Sequence, residues 1–239
     1  MLVRVALPAL AAVLFTPASW GSEVADGRYG RTEVRYLNGK PAVFHQARQV
    51  LILDEADSAS IVRVVPEVRQ DYIVIKSWKP VSRCQNSYRL LGIRATGPVQ
   101  ASGELGSCME LAGITFAGDA PIAHFRPATA TGNVTQILWK DGRQNELPPM
   151  TQACFKLLEN AIARSGRTLG AQVVAGEGRL QFYSAADEQC EMPGVFLVPG
   201  DRLVAARSFG RYSYVQYQNP KTAKVVAGWV DSARLKPAS

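Results

Sequence analysis

From Gly27 to about Leu147 the chain is a run of short segments in which β-branched or aromatic residues alternate with polar ones, and this constrains the fold most. EVRYL (33–37), QVLILDE (49–55), IVRVVPEV (61–68) and DYIVIKSW (71–78) come first. SYRLLGIRA, PVQAS, ELAGITFAG, PIAHFRP and VTQILWKDG follow between Ser87 and Gly142. Turn signals separate them at Asn38-Gly39, at Asp54–Asp57 and at Lys79-Pro80, and Asp141-Gly142 reads as a tight hairpin. No helical periodicity intervenes, so the expectation is an antiparallel meander or sandwich, and the chain as a whole is expected to be all-β. No internal repeat or low-complexity segment is evident in the sequence.

One helix interrupts this pattern. Pro148-Pro149 ends the β region, Thr151 is placed to cap QACFKLLENAIAR, and Phe155, Leu158 and Ile162 form an apolar stripe at helical spacing. Cys154 falls in the first turn on that stripe, and Gly166 is expected to stop the helix in the left-handed conformation. Glycines bracket Gly166–Gly178, which marks it as a boundary. The expected division is 1–21 as a secretory signal, 22–148 as the β-rich domain, 149–176 as helix and connector, and 177–239 as a further β unit.

The signal is read from Arg4, the apolar run Val5–Phe15 and the small residues around Ser19 and Gly21. The run is shorter than the ~20 residues of a membrane span, and no later segment is long and apolar enough to cross. The expectation is therefore a periplasmic or secreted protein. In that compartment Cys84, Cys108, Cys154 and Cys190 are expected to form disulfides. Four cysteines allow three pairings. Neighbour pairing, Cys84–Cys108 and Cys154–Cys190, keeps each bridge within or beside one structural unit. A zinc site is the weaker reading, because no CxxC occurs and both histidines are distant in sequence. The formal net charge is +7, or about +6 once Arg4 is removed with the signal, and the excess lies mostly in the C-terminal part. Such a charge draws a protein to anionic polymers, lipid headgroups or acidic proteins, or simply keeps it dispersed. Nucleic acid is excluded as a partner by the compartment.

The last third of the chain carries a resemblance. Leu180–Ser184 (LQFYS), Gly200–Val204 (GDRLV), Gly210–Tyr217 (GRYSYVQY) and Gly228–Leu235 (GWVDSARL) stand in the order and spacing of bacterial SH3-like domains. The resemblance covers about residues 177–237 and implies a small SH3-like β-barrel that binds rather than catalyses. Leu180, Phe182, Leu203, Val215 and Leu235 would alternate inward to fill it. In such domains ligands lie across exposed aromatics framed by the first loop. The matching positions here are Tyr183, Tyr212, Tyr214 and Trp229, with Asp187 and Glu188 in the loop to meet an ammonium group. The alternative for Tyr214 and Trp229 is packing in a small core. The long first loop and Tyr212 in the place of the usual tryptophan depart from the family pattern. The region before the helix resembles, more loosely, uncharacterised exported proteobacterial β-rich proteins through Cys84, Tyr88, Gly106 and Cys108.

Catalytic patterns are scarce. No GxSxG elbow occurs, the cysteines are expected as cystines, and the only histidines, His45 and His124, sit in strand-like segments. Asp54, Glu55 and Asp57 read as a charged turn, with a hard-cation site as the alternative. No cofactor fingerprint is present. The sequence therefore points to a non-catalytic exported binding protein of the bacterial envelope, with peptidoglycan or an envelope protein as partner. The alternatives are an inhibitor or immunity-type protein that blocks a cell-wall hydrolase, and a hydrolase with an unrecognised pair of carboxylates.

Overall fold

The computed structural model describes residues 23–67, 69–79, 84–127 and 132–238. The proposed signal, residues 1–21, and Pro80 lie outside them. The chain is mostly β, with one α-helix and several antiparallel sheets, as the periodicity leads one to expect.

Three consecutive four-stranded meanders build the region before the helix. The first comprises β1 (Val24–Gly27), β2 (Gly30–Leu37), β3 (Lys40–His45) and β4 (Arg48–Ile52). The second comprises β5 (Ser58–Pro66), β6 (Asp71–Trp78), β7 (Asn86–Ile93) and β8 (Gln100–Ala101). The third comprises β9 (Met109–Ala117), β10 (Ala120–Pro127), β11 (Val134–Lys140) and β12 (Arg143–Met150). In each sheet the strands lie in chain order, so the architecture repeats although no sequence repeat announces it. The Asn-Gly and Asp-Gly signals work as expected. Asn38 and Gly39 (φ 51° and 78°) and Asp141 and Gly142 (φ 50° and 76°) make the doubly left-handed hairpin turns that match strand twist.

Side-chain alternation then stacks the sheets. On β6, Ile73 and Ile75 face Val34 and Val43 of the first sheet, while Tyr72 and Val74 face Phe116, Phe125 and Trp139 of the third. The middle sheet is thus buried on both faces, which is why its strands read as near-continuous apolar runs. Gly106, at φ 57°, turns the chain where a methyl group would land on the buried Phe125 ring. Gly106→Ala is expected to lose about 2–4 kcal/mol in chemical denaturation, from a strained backbone and an overfilled core.

The helix α1 spans Gln152–Arg164, and the Thr151 side chain accepts from the Cys154 N–H at 3.1 Å. It ends differently from the expectation. Ser165 is already extended, and Gly166 has no left-handed backbone but opens β13 (Gly166–Val174). The segment expected as a connector is therefore a strand of the last sheet. It pairs with the strands Arg202–Phe209 and Leu235–Pro237, and a register shift between Arg167 and Gly170 accommodates its glycines.

The remaining strands are β14 (Leu180–Tyr183), β15 (Glu191–Leu197), β16 (Arg202–Phe209), β17 (Tyr212–Gln218), β18 (Val225–Asp231) and β19 (Leu235–Pro237). They join β13 in one antiparallel sheet of order β15-β14-β18-β17-β16-β13-β19. Leu180, Phe182, Leu203 and Val215 share a core with Val174 and Met192, and Leu235 packs against it. Residues from both edge strands meet there, so the sheet curls around its own filling. The four segments that carry the SH3-like resemblance become β14, β16, β17 and β18 with β19. Both disulfides form as neighbour pairs, Cys84–Cys108 and Cys154–Cys190. By chain entropy, closing loops of these lengths contributes about 3–4 kcal/mol each.

Candidate functional site

The strand period decides what the aromatics of the last sheet do. On β17, Val215 points into the curled core, so Tyr212 and Tyr214 point to the opposite face. On β18, Val230 points inward and Ala227 and Trp229 point with the tyrosines. That second face is covered by the chain itself. Phe155, Leu158 and Ala161 of α1, together with Ile122, Val134 and Leu138 of the third sheet, pack on it as one core. Trp229 is 0% exposed and Tyr214 3%, and their rings meet edge-on at 5.3 Å. Burial pushes the Tyr214 hydroxyl pKa far up. These two residues are core, the packing alternative of the sequence reading, and they line no open groove.

The other four expected residues are brought together at the margin of this core. Tyr183 is half-buried and stands edge-on to Tyr212 at 5.5 Å. Burial, and then Tyr212, raise the Tyr183 pKa. Tyr212 is 6% exposed, and the Arg211 guanidinium lies 5.1 Å from its ring centroid and donates to its hydroxyl at 3.1 Å. Glu188 pairs with Arg211 at 2.5 Å across the open surface. The hydrogen bond with Tyr212 is the chief reason that the Arg211 pKa rises. Asp187 has a local task, accepting from the Gln189 N–H at 3.0 Å and so capping the 3₁₀ turn Glu188–Cys190.

Sequence reasoning missed the basic and aromatic residues that complete this margin. Phe209 stands opposite Tyr212 across the β16–β17 hairpin, and Arg164, in the last turn of α1, lies 5.4 Å over its ring. The signal was present in Phe209-Gly210-Arg211-Tyr212, where Gly210 (φ 56°) makes the tight turn that sets the two rings on one face. The result is a shelf of two half-buried rings, Tyr183 and Phe209, over the buried ring of Tyr212, with two guanidinium groups and one carboxylate. It is rooted by Cys154–Cys190, which joins the first turn of α1 to the loop carrying Asp187 and Glu188.

The other candidates have structural partners. In the acid turn between β4 and β5, Glu55 pairs with Lys79 at 2.7 Å and Asp57 with Lys40 at 3.5 Å. His45 Nδ1 lies 2.9 Å from the Thr32 hydroxyl, and His124 Nε2 lies 2.7 Å from that of Thr115. Among the described residues no group of three or more His, Cys, Asp or Glu is gathered to hold a metal, and no helix is long and apolar enough to cross a membrane. Comparison with known protein families, with characterised proteins and with solved structures finds no match for this chain.

Proposed function

We propose that the chain is an exported, non-catalytic binding protein of the bacterial envelope, whose C-terminal SH3-like unit binds peptidoglycan or an envelope protein. The observation that carries the reading is the shelf of Tyr183, Phe209 and Tyr212, capped by Arg211 and Glu188. Two disulfides agree with passage through an oxidising compartment. Ligand contact falls to the shelf because the rest of the aromatic face is filled by α1 and the third sheet. Ring edges and faces offer apolar area with little loss of side-chain freedom. The Arg211–Glu188 pair is exposed and screened by water, so a ligand that offers its own carboxylate and ammonium groups displaces it at small cost.

Purified protein mixed with insoluble peptidoglycan is expected to pellet with it. Tyr183→Ala should lower the bound fraction several-fold while the unfolding midpoint moves little, since Tyr183 is at the margin of the core. Failure of the unaltered protein to sediment above its level without peptidoglycan rules out the sacculus as ligand. A pull-down from envelope extract then decides for a protein partner.

A further inference from the structure

The two disulfides lie in opposite surroundings. Cys154 and Cys190 are 5% and 2% exposed and belong to the core beneath α1. Cys108 is exposed and Cys84 half-buried, at the surface where the approach to β7 meets the turn before β9. Cys108 adopts φ 65°, the left-handed region that residues with a side chain enter reluctantly. Other bonds span the same junction. The Cys108 N–H donates to the Asn86 carbonyl at 3.1 Å and the Met109 N–H to that of Gly106 at 3.0 Å. Glu110 on β9 accepts from Lys76 on β6 at 3.1 Å, and from Asn86 and the Tyr88 hydroxyl on β7 at 2.9 Å each. Backbone and side-chain bonds therefore already hold the ends of β6, β7 and β9 together.

We propose that Cys84–Cys108 is a thiol-exchange site, opened by low-molecular-weight thiols of the glutathione class and re-formed by the disulfides of those thiols, while the fold stays intact. Exchange requires an incoming thiolate to reach one sulfur, and exposure favours that of Cys108. The incoming sulfur forms a bond to Cys108 Sγ, the Cys108–Cys84 bond breaks, and its electron pair leaves on Cys84 Sγ, which takes a proton from water. The product is a mixed disulfide on Cys108 and a thiol at Cys84. A second thiolate attacks the mixed disulfide at the small-molecule sulfur. It releases the oxidised small molecule and leaves Cys108 as a thiol, so two thiols have reduced one cystine. Burial of Cys154 and Cys190 bars the same attack there until α1 lifts.

The folded protein is incubated with rising concentrations of reduced glutathione, quenched with an alkylating agent and mapped by peptide mass spectrometry. Glutathione is expected on Cys108 and the alkyl group on Cys84. Cys154–Cys190 should remain closed, and the far-ultraviolet circular dichroism should be unchanged. In denaturant both bridges should open at similar rates. The proposal is overturned if Cys154–Cys190 opens first or equally in the folded protein, if Cys84–Cys108 resists as strongly, if the adduct sits on Cys84, or if opening is accompanied by loss of the folded spectrum.

Discussion

Lowering the pH from 7 to 4.5 is expected to destabilise the protein by about 3 kcal/mol through His124 alone. His124 lies on β10, fully buried, beneath the Phe155 ring at 5.2 Å. Its Nε2 meets Thr115 and its Nδ1 has no partner. Burial lowers its pKa from 6.5 to about 3, so the imidazole stays neutral in the folded state at pH values where the unfolded chain binds a proton. Its stabilising effect is complete above pH 6.5 and declines as the pH falls toward 3, by about 1.4 kcal/mol per unit. Glu104, whose pKa is lowered by Lys79 and Ser107 against a desolvation that raises it, responds in the same sense but only below the ordinary carboxylate pKa. Glu159, whose pKa burial raises, responds in the opposite sense, so the histidine is isolated by the difference between the unaltered protein and a His124 variant from pH 6.5 to 5. Urea midpoints across that interval should fall steadily in the unaltered protein. In His124→Gln that fall should vanish, leaving a level or slightly rising midpoint that starts lower because packing around Phe155 is disturbed. Equal slopes for the two proteins would show that the charge enters elsewhere.

Trp229→Ala is expected to lose about 3–5 kcal/mol, among the largest losses for any single truncation in the chain. The indole joins the curled sheet to α1 and the third sheet, so its removal opens a void in the core that these units share. Trp229→Phe should cost much less. The Trp229 Nε1–H has no partner in its buried place, and an unpaired buried donor costs about 1–3 kcal/mol, so phenylalanine offsets lost volume by removing that penalty. Chemical denaturation of both variants separates the roles of this residue. A ligand-contacting tryptophan would leave stability nearly unchanged and depress binding, whereas a packing one does the reverse.

Much of this architecture was legible in the residues. The alternation from β2 to β12 gave antiparallel strands, Asn38-Gly39 and Asp141-Gly142 gave two hairpins, and the stripe Phe155, Leu158, Ile162 gave the helix with Thr151 at its start. What escaped was the covering of faces. On β18, Val226 and Val230 alternate with Ala227 and Trp229, so both faces are apolar, the mark of a strand buried on both sides. Weighed alone, the C-terminal unit offers Tyr214 and Trp229 to a ligand. Weighed with the third sheet, it has none to spare. Gly166 and Gly170 misled in a simpler way, because glycine marks a break in most contexts but here serves a bulged strand. The shelf was half legible. Tyr183, Glu188 and Tyr212 could be singled out by resemblance, while Arg164 and Phe209 come together only through the packing of α1.

The stacked order of the sheets also sets a timetable. A chain that emerges from its N-terminal side can close the first two meanders on each other early, since they share a core. The outer face of the third is covered only in part by α1, which follows it directly. Ile122, Val134 and Leu138 also wait for Tyr214, Ala227 and Trp229, which follow much later in the chain. Until then a wide apolar sheet stands bare to its neighbours, the condition under which nascent chains stick to one another. Truncation before Tyr214 should therefore leave aggregates in place of a shortened domain.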